Sequence, residues 1–372
     1  MFKHRSKRPF ISICCLIFFN TLTNFNLFAV RFPRKESLPY KKESPVVKAF
    51  SLVPDENGVV VNTKLLKFNE DLDNTYNPSI IERENKYLLI FRHDSSKKWC
   101  ERCKLKQAQI KMVYLDKNFD QITPTKTIEP NISVAEDARL HCMKGQLYLT
   151  FNDEFKGHFH PWKRQMCYAK FDAEQGCMSD VKEVPSGDIS VTPIEKNWMP
   201  FEYPENGGSL HYIYSVAPYK VIKVDDAGRS LSFHHCSIVS KDINLVWDRD
   251  MWGVIRGGTP ARLVDDVYIT FFHSMKFHIQ KKCYYYLMGA YVFQAQPPFK
   301  ILAMTPKPIV FDGMYSARRR IKILYALYPG GFAIEKKDGK TLLHVACGEN
   351  DTSVRIVTID KDALLKSMVT LP

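Results

Sequence analysis

The residues of this chain that are best suited to chemistry stand at the start of similar sequence segments. The strongest candidate is Asp137, in the segment EDARL, because its carboxyl group could serve as a general acid or base. A glycosidic bond cannot be made or broken unless a sugar oxygen is protonated or deprotonated, and carboxyl groups carry out this step in most such enzymes. Asp137 is therefore a candidate for acid–base chemistry on a sugar, and a purely structural role is the alternative.

Arg139 lies two residues after Asp137 in a predicted strand. Successive residues of a strand point to opposite faces, so only one of Glu136 and Asp137 should face the interior, and Arg139 should share the face of Asp137. Two interpretations are open at this stage. Arg139 contacts a ligand beside Asp137, or the two residues form an ion pair that stabilises the strand.

Polar residues in other segments suit a ligand that is rich in hydroxyl groups. The residues predicted to contact such a substrate, besides Arg139, are Asn77, Arg92, Lys196, Asn197 and Asp351. A phosphate nucleophile would also need positive groups that hold it opposite the leaving group, and the candidates are Arg164, His273 and again Lys196. Such charges require an open funnel, because a buried charge is costly unless it is paired.

No metal site or cofactor site is expected. Cys100 and Cys103 have the spacing of half a zinc site, but no second pair follows at a suitable distance. The sequence also lacks a glycine-rich phosphate loop between a strand and a helix, which argues against a Rossmann-type nucleotide-binding domain.

These candidates belong to a pattern that occurs five times, in which an apolar strand, a turn and a second apolar strand follow one another. The copies begin at Tyr76, Glu136, Lys196, Arg256 and Leu327, at intervals of about sixty to seventy residues. The second strands of the copies are apolar runs that end in polar residues, as in KYLLIFRH and QLYLTFND. The repeat predicts an all-β fold, a closed five-bladed β-propeller, which would gather the starts of all five copies around one axis. Only Lys361–Met368 has the pattern of a short helix.

The N-terminal residues have the composition of a targeting signal. Residues 1–30 combine a basic start with the apolar run PFISICCLIFF, which is typical of a signal peptide or a signal-anchor. Residues 31–50 are charged and contain proline, so they are interpreted as a linker or stalk, and residues 51–372 as the catalytic propeller. The expected location is the secretory pathway or the cell envelope. The protein would be secreted, or it would contact the membrane as a single-pass protein if the segment is not cleaved.

The formal net charge of +13 would also suit a nucleic-acid partner. Much of this charge belongs to the N-terminal segment, and the other basic stretches are scattered among predicted strands with no recognisable nucleic-acid-binding motif. We therefore expect no nucleic-acid partner. A basic surface also suits an anionic substrate such as a sugar phosphate or inorganic phosphate, and a merely solvated surface is the alternative.

Taken together, the segments NPSII, EDARL, EKNWMPFE, GGTPARL and HVACGEND resemble those of the five-bladed glycoside hydrolase family 130 and its relatives, over about residues 70–360. That family contains β-mannoside phosphorylases, and related β-mannosyltransferases share its fold. The resemblance implies an enzyme that transfers or phosphorolyses a mannose-type glycosyl unit. A glycoside hydrolase on the same scaffold and a non-catalytic propeller that binds glycans or proteins remain alternatives.

The resemblance also implies roles for single residues. Asp137 would be the catalytic acid, acting through a sugar hydroxyl while the nucleophile attacks from the other face. The implied sugar contacts are Asn77, Arg92, Lys196 and Asp351, and the implied phosphate contacts are Arg164 and His273. EDAR stands where the family has EDPR, and FFHSM where it has a YHG-like motif. These departures leave the acceptor open between phosphate, water and another sugar.

Overall fold

The computed structural model describes residues 58–100, 105–130, 135–153, 164–184, 194–205, 208–224, 230–234 and 240–371. The predicted signal segment 1–30 and the predicted linker 31–50 lie outside these ranges. Within them, no helix is both long enough and apolar enough to cross a bilayer.

Antiparallel sheets make up most of the described chain. The strand β1 (Val60–Leu65) comes first and joins the last sheet. The first sheet consists of β2 (Thr75–Arg83), β3 (Lys86–Cys100), β4 (Leu105–Leu115) and β5 (Lys126–Thr127). The second sheet consists of β6 (Glu136–Met143), β7 (Gln146–Asp153), β8 (Gln165–Asp172) and β9 (Cys177–Glu183). In both sheets, strands that follow one another in the chain are neighbours.

The third sheet repeats this order, and the fourth is larger. The third sheet consists of β10 (Met199–Tyr203), β11 (Ser209–Ser215), β12 (Lys220–Val224) and β13 (Ser230–His234). Two short helices that the sequence did not predict follow it, α1 (Ser240–Val246) and α2 (Arg249–Trp252). The fourth sheet begins with β14 (Val254–Arg256), β15 (Arg262–Val264), β16 (Val267–His278), β17 (Cys283–Gln294), β18 (Ile301–Met304) and β19 (Leu324–Tyr325).

The fifth sheet joins the two ends of the described chain. It consists of β20 (Leu327–Lys337), β21 (Lys340–Glu349), β22 (Ser353–Asp360) and, beside β22, β1. The predicted C-terminal helix is confirmed as α3 (Lys361–Ser367), and the Asp360 side chain caps its N-terminus by accepting hydrogen bonds from the backbone N–H groups of Asp362 and Ala363. The last strand, β23 (Val369–Thr370), returns to the fourth sheet beside β18.

Tight turns set the strand pairing at the end of each hairpin remote from the candidate residues. Glu84 and Asn85, between β2 and β3, have φ angles of 48° and 63°, and Lys144 and Gly145, between β6 and β7, have 51° and 75°. Two consecutive positive φ angles are typical of the two-residue turn whose twist matches that of a β-hairpin. The turn signals in the sequence therefore fix the register that brings the other ends of the strands together.

The apolar core is divided into clusters that lie between consecutive sheets. Ile90 of the first sheet and Leu149 of the second share one cluster, and other clusters join the second to the third, the third to the fourth and the fourth to the fifth. A further cluster joins Ile80 of the first sheet to Val354 of the fifth, which closes the ring. The result is an all-β, propeller-like arrangement of five sheets.

The innermost strands approach one another so closely that several positions accept only glycine, as two contacts illustrate. A Cβ atom on Gly257 would lie 1.8 Å from the Asn197 backbone oxygen, and a Cβ atom on Gly330 would lie 2.0 Å from that of Pro78. Both contacts join neighbouring sheets, so the glycine pairs in the repeat are sites of close approach around the axis.

Candidate active site

The candidate residues lie where the innermost strands bend. The pairing register shifts within Tyr76–Ser79 in β2, Glu136–Arg139 in β6 and Pro329–Gly331 in β20. In the fourth sheet, the break between β14 and β15 occupies the equivalent position. Such bulges redirect side chains out of the regular strand alternation, and they are common beside functional sites.

The backbone conformation at these bends explains part of the residue pattern. Asn77, Asp137 and Asn197 have φ angles of 48°, 56° and 66°, and Asp351 has a φ angle of 54°. Asn and Asp are the residues other than glycine that adopt this left-handed conformation most readily. The same residue types thus satisfy the backbone and supply polar groups to the site.

The central contact joins the first sheet to the second. The Asn77 side chain donates a hydrogen bond of 2.6 Å from Nδ2 to Oδ1 of Asp137. The neighbouring Glu136 also reaches the first sheet, because its Oε1 atom lies 2.8 Å from Nη1 of Arg92. The expectation that only one of these two adjacent acids faces the interior is therefore wrong. The bulge in β6 interrupts the alternation on which that expectation rested.

A network of ion pairs surrounds this contact. Asp94 is buried and accepts hydrogen bonds of 2.8 Å from Nε of Arg92, from Nη1 of Arg320 and from the Tyr76 hydroxyl. Burial opposes ionisation of Asp94, but the charge and hydrogen bonds of Arg92, together with the hydrogen bonds from Arg320 and Tyr76, hold its pKa below the ordinary value. Nη2 of Arg164 lies 3.1 Å from Oε1 of Glu136, so Arg92 and Arg164 share one carboxylate.

Three charged side chains of the candidate site remain without a hydrogen bond or ion pair inside the described part of the chain. They are Lys196, Arg256 and Asp351. Lys196 and Arg256 both lie near enough to His273 to lower the pKa of its imidazole. Burial raises the pKa of Asp351 to about 6, with the charges of Asp137 and Asp94 adding to the effect and those of Arg92 and Arg320 opposing it. Two cations and one carboxylate are thus available to a ligand.

Arg139 lies beneath the site and ties the sheets together. It has no exposed surface, and its Nε atom donates a hydrogen bond of 2.6 Å to the backbone oxygen of Gly258. Its Nη1 atom donates to the backbone oxygen of Asp137 at 2.9 Å, and its Nη2 atom contacts Oδ1 of Asn197 at 3.4 Å and the Tyr328 hydroxyl. The guanidinium therefore joins the second, third, fourth and fifth sheets. The predicted ion pair is replaced by a bond to the backbone of Asp137, and the burial gives Arg139 a positioning role rather than a ligand contact.

His273 also lies below the surface of the site. Only 2% of its surface is exposed, and its ring stacks on that of Tyr286 with the centroids 5.5 Å apart. Burial, assisted by the charges of Arg256, Arg139 and Lys196, lowers the pKa of His273 to about 3. The imidazole is therefore neutral at neutral pH, which corrects the expectation that it acts as a cation. Its Nδ1 atom has no hydrogen-bond partner among the described residues.

Sequence reasoning missed the parts played by Arg256, Arg320 and Tyr328. Arg256 opens the fourth copy of the repeat, as Lys196 opens the third, and this equivalent position could have marked it as a site residue. Arg320 lies in a basic run outside the repeat, and only the fold shows that it pairs with Asp94. Tyr328 takes part in the site through the hydrogen bond that its hydroxyl accepts from Arg139, and no spacing in the sequence could indicate this contact.

Comparison with solved structures identifies the fold. A mannose phosphorylase from Leishmania mexicana, MPT-4, solved with a phosphate ion, superposes with a TM-score of 0.56 at 13% identity, over 87% of this chain and 94% of its own. A β-1,2-mannobiose phosphorylase from Listeria innocua, solved with β-1,2-mannobiose, gives a TM-score of 0.54 at 14% identity, over 81% and 94%. The fold is that of the family 130 mannoside phosphorylases.

A transferase has the same architecture. MPT-1, a GDP-mannose-dependent mannosyltransferase from Leishmania mexicana, superposes with a TM-score of 0.50 at 14% identity, over 85% of this chain and 94% of its own. No protein-family model matches the sequence, and no curated protein matches it either. At these identities the comparisons show the fold alone.

Proposed function

We propose that this protein is a carbohydrate-active enzyme that transfers or phosphorolyses a mannose-type glycosyl unit on a closed five-bladed β-propeller. The observation that carries the proposal is the position of Asp137. Its carboxylate lies at the inner end of a sheet, is held by the Asn77 amide of the next sheet and makes no ion pair within the described residues. A carboxylate held in this way is oriented yet free to exchange a proton with a sugar oxygen.

The neighbouring groups suit the parts that such a reaction needs. In the proposed site, Asp137 is the general acid or base, and Asp351 accepts hydrogen bonds from sugar hydroxyls. Asn77 and Asn197 orient the groups around the reacting bond. Arg92 lies at the edge of the same site, where 15% of its side chain remains exposed to a ligand. Support for these assignments comes from the hydrogen bonds and charges of this chain.

The anion site is proposed to centre on Arg256 and Lys196. The charge of Arg164 is partly neutralised by Glu136 at 3.1 Å, and His273 is neutral, so neither supplies a full positive charge. Arg256 and Lys196 have no carboxylate partner in the described part of the chain and stand close to the same imidazole. A phosphate, either inorganic or part of a sugar-phosphate donor, would be held there, with Arg164 and His273 at its border.

The decisive experiment compares Asp137→Asn with a matched control. Asn tolerates the left-handed backbone at residue 137, so the substitution removes the acid without straining the chain. Turnover of mannosyl phosphate or of β-mannosides, with and without inorganic phosphate, should fall about a thousandfold or more, while ligand affinity stays within a few fold. The control is Asp180→Asn, at an exposed residue with a φ angle of 52°. Unchanged turnover of Asp137→Asn would overturn the proposed acid, and binding without any turnover in the parent protein would indicate a lectin-like propeller.

We also propose that the protein enters the secretory pathway, because residues 1–30 have a basic start and an apolar run. Expression of the full chain with a C-terminal tag, followed by protease protection of sealed vesicles, tests this. A tag digested from the cytosolic side would contradict the proposal. A mature protein smaller than the full chain would show that the segment is cleaved, and a protein of full size would show that it stays attached as an anchor.

A further inference from the structure

One hairpin of the fourth sheet extends well past the site. The strand β16 runs from Val267 to His273, which pairs with Arg256 at the level of the site, and then continues to His278. Its partner β17 begins at Cys283, opposite His278. The tip of this hairpin therefore projects from the side of the ring on which the candidate active site lies.

A second segment is hydrogen-bonded to this hairpin. The backbone N–H of Tyr284 donates to the Ile323 oxygen at 2.7 Å, and β19 pairs in parallel with the start of β17. The Arg319 guanidinium lies over the Tyr325 ring, 4.3 Å from its centroid. We name residues 276–284 and 318–324 together the rim patch.

The rim patch combines positive charge with exposed apolar side chains. It contains no Asp or Glu, and its basic residues are Lys276, Lys281, Lys282, Arg318, Arg319, Arg320 and Lys322. Phe277, Ile279 and Ile321 are 41%, 79% and 44% exposed. Exposed apolar side chains that are grouped and surrounded by polar residues are typical of surfaces that bind a protein or a membrane.

Among the described residues, acids from outside the patch reduce its charge only in part. Arg320 is bound to the buried Asp94, and Lys276 contacts the backbone oxygen of Asp250, whose side chain is exposed nearby. Five of the seven basic residues are exposed, so most of the positive charge faces solvent; they are Lys281, Lys282, Arg318, Arg319 and Lys322.

We propose that the rim patch binds the surface of an anionic lipid bilayer, with the opening of the site turned toward it. Lysine and arginine attract anionic headgroups, and aromatic and aliphatic side chains at a hairpin tip can enter the interfacial region of a bilayer. A polyanion such as RNA would use the charges but would leave Phe277 and Ile279 uncovered. The bilayer is the partner that uses both properties of the patch. This inference does not depend on the chemistry proposed for the site.

The test measures binding of the full-length protein to vesicles of phosphatidylcholine alone and of phosphatidylcholine with phosphatidylserine. The charge variant is Lys281→Glu with Lys282→Glu, and the apolar variant is Phe277→Ser with Ile279→Ser. Matched controls are Lys336→Glu with Lys337→Glu, exposed at the opposite end of the fifth sheet, and Val61→Ser, which is 54% exposed in β1. Any vesicle binding through the N-terminal segment is the same in all variants, so the differences between them report on the rim patch.

The gain in affinity from phosphatidylserine should fall about tenfold or more in the charge variant and should be unchanged in its control. The apolar variant should weaken binding about fivefold at high salt, where the charges are screened. Equal losses in the variants and in their controls would overturn the proposal, and so would binding that does not depend on phosphatidylserine. Tighter binding of the protein to RNA than to anionic vesicles, lost in the charge variant alone, would assign the patch to a nucleic acid instead.

Discussion

The amide of Asn77 holds the carboxylate of Asp137 at 2.6 Å across the boundary between two sheets, although the residues are 60 positions apart in the chain. Both stand in left-handed backbone, at equivalent bulges of consecutive repeats. The pair therefore couples the geometry of the ring to the orientation of the proposed acid.

Replacing Asn77 should damage catalysis more than folding. Gly accepts the φ angle of 48° at this position, so Asn77→Gly removes the amide while keeping the backbone. With the carboxylate no longer held, we expect kcat to fall about tenfold to a hundredfold and KM for the sugar to change less. Steady-state kinetics give both values. Unaltered kcat with reduced thermal stability would show that the hydrogen bond is structural.

The pKa of Asp351 leads to a prediction for stability. Burial raises this pKa to about 6, above its ordinary value near 4, so the folded protein holds the proton more tightly than the unfolded chain does. The free energy of unfolding should therefore decrease as the pH rises from about 4 to 6, and above that window the whole decrease is present. Asp351→Asn should raise the free energy of unfolding by about 1 to 2 kcal/mol at pH 7.5 and by almost nothing at pH 4.

Urea denaturation of both proteins at the two pH values measures this difference. Asp265→Asn is a suitable control, because Asp265 is exposed and its pKa is lowered by its bond to Lys361. If Asp351→Asn raised the free energy of unfolding by the same amount at both pH values, the raised pKa assigned to Asp351 would be wrong.

Arg139 should be needed for folding rather than for ligand binding. Arg139→Met leaves the backbone oxygens of Gly258 and Asp137 without the guanidinium that donates to them, which should cost about 3 kcal/mol or more in the free energy of unfolding. Arg83→Met, at a surface residue with ion-pair distances of 3.7 and 3.8 Å, should cost less than about 0.5 kcal/mol. Chemical denaturation compares the two, and a similar small cost for both would refute the positioning role.

Arg256 offers a test of the anion site. Arg256→Gln removes a cation that has no carboxylate partner among the described residues, so KM for phosphate or for a sugar phosphate should rise about tenfold or more. KM for an uncharged mannoside should stay within about twofold. Arg249→Gln, an exposed substitution in α2, is the matched control for charge. An equal effect on charged and uncharged substrates would remove Arg256 from the anion site.

Close packing around the axis can be tested separately from backbone strain. Gly330→Ala places a Cβ atom 2.0 Å from the Pro78 oxygen, so we expect a loss of about 3 kcal/mol or failure to fold. Gly339→Ala meets nothing within 4 Å but lies at a φ angle of 74°, and its cost should be about 1 kcal/mol. Comparing the melting temperatures of the two variants separates the two effects.

The repeat made most of the architecture predictable. Apolar strand segments and turn signals such as the one at Glu84 and Asn85 specify hairpins, and five similar hairpins can bury their faces only against one another. The strand order within the second and third sheets follows directly from this pattern. The helices α1 and α2 were missed because they are short and lie between repeats, where no long apolar period marks them.

Most candidate site residues were chosen because they lie at the ends of the repeat copies. Asn77, Asp137 and Lys196 were chosen because they open their copies. The effect of the bulge in β6 was missed, since the strand rule gives regular alternation and a left-handed residue breaks it. The burial of Arg139 and His273 depends on how closely the inner strands approach, which is a property of the closed ring and not of any single segment.

The place of β1 beside β22 has a consequence for how the protein reaches its native state. The earliest described strand completes a sheet whose other three strands are among the last to be made, so the final pairing joins segments nearly the whole chain apart. Contacts of such high sequence separation form slowly. Until β1 pairs with β22, the fifth sheet keeps β22 as an unpaired edge, and an unpaired strand edge is a place where the newly made chain can aggregate.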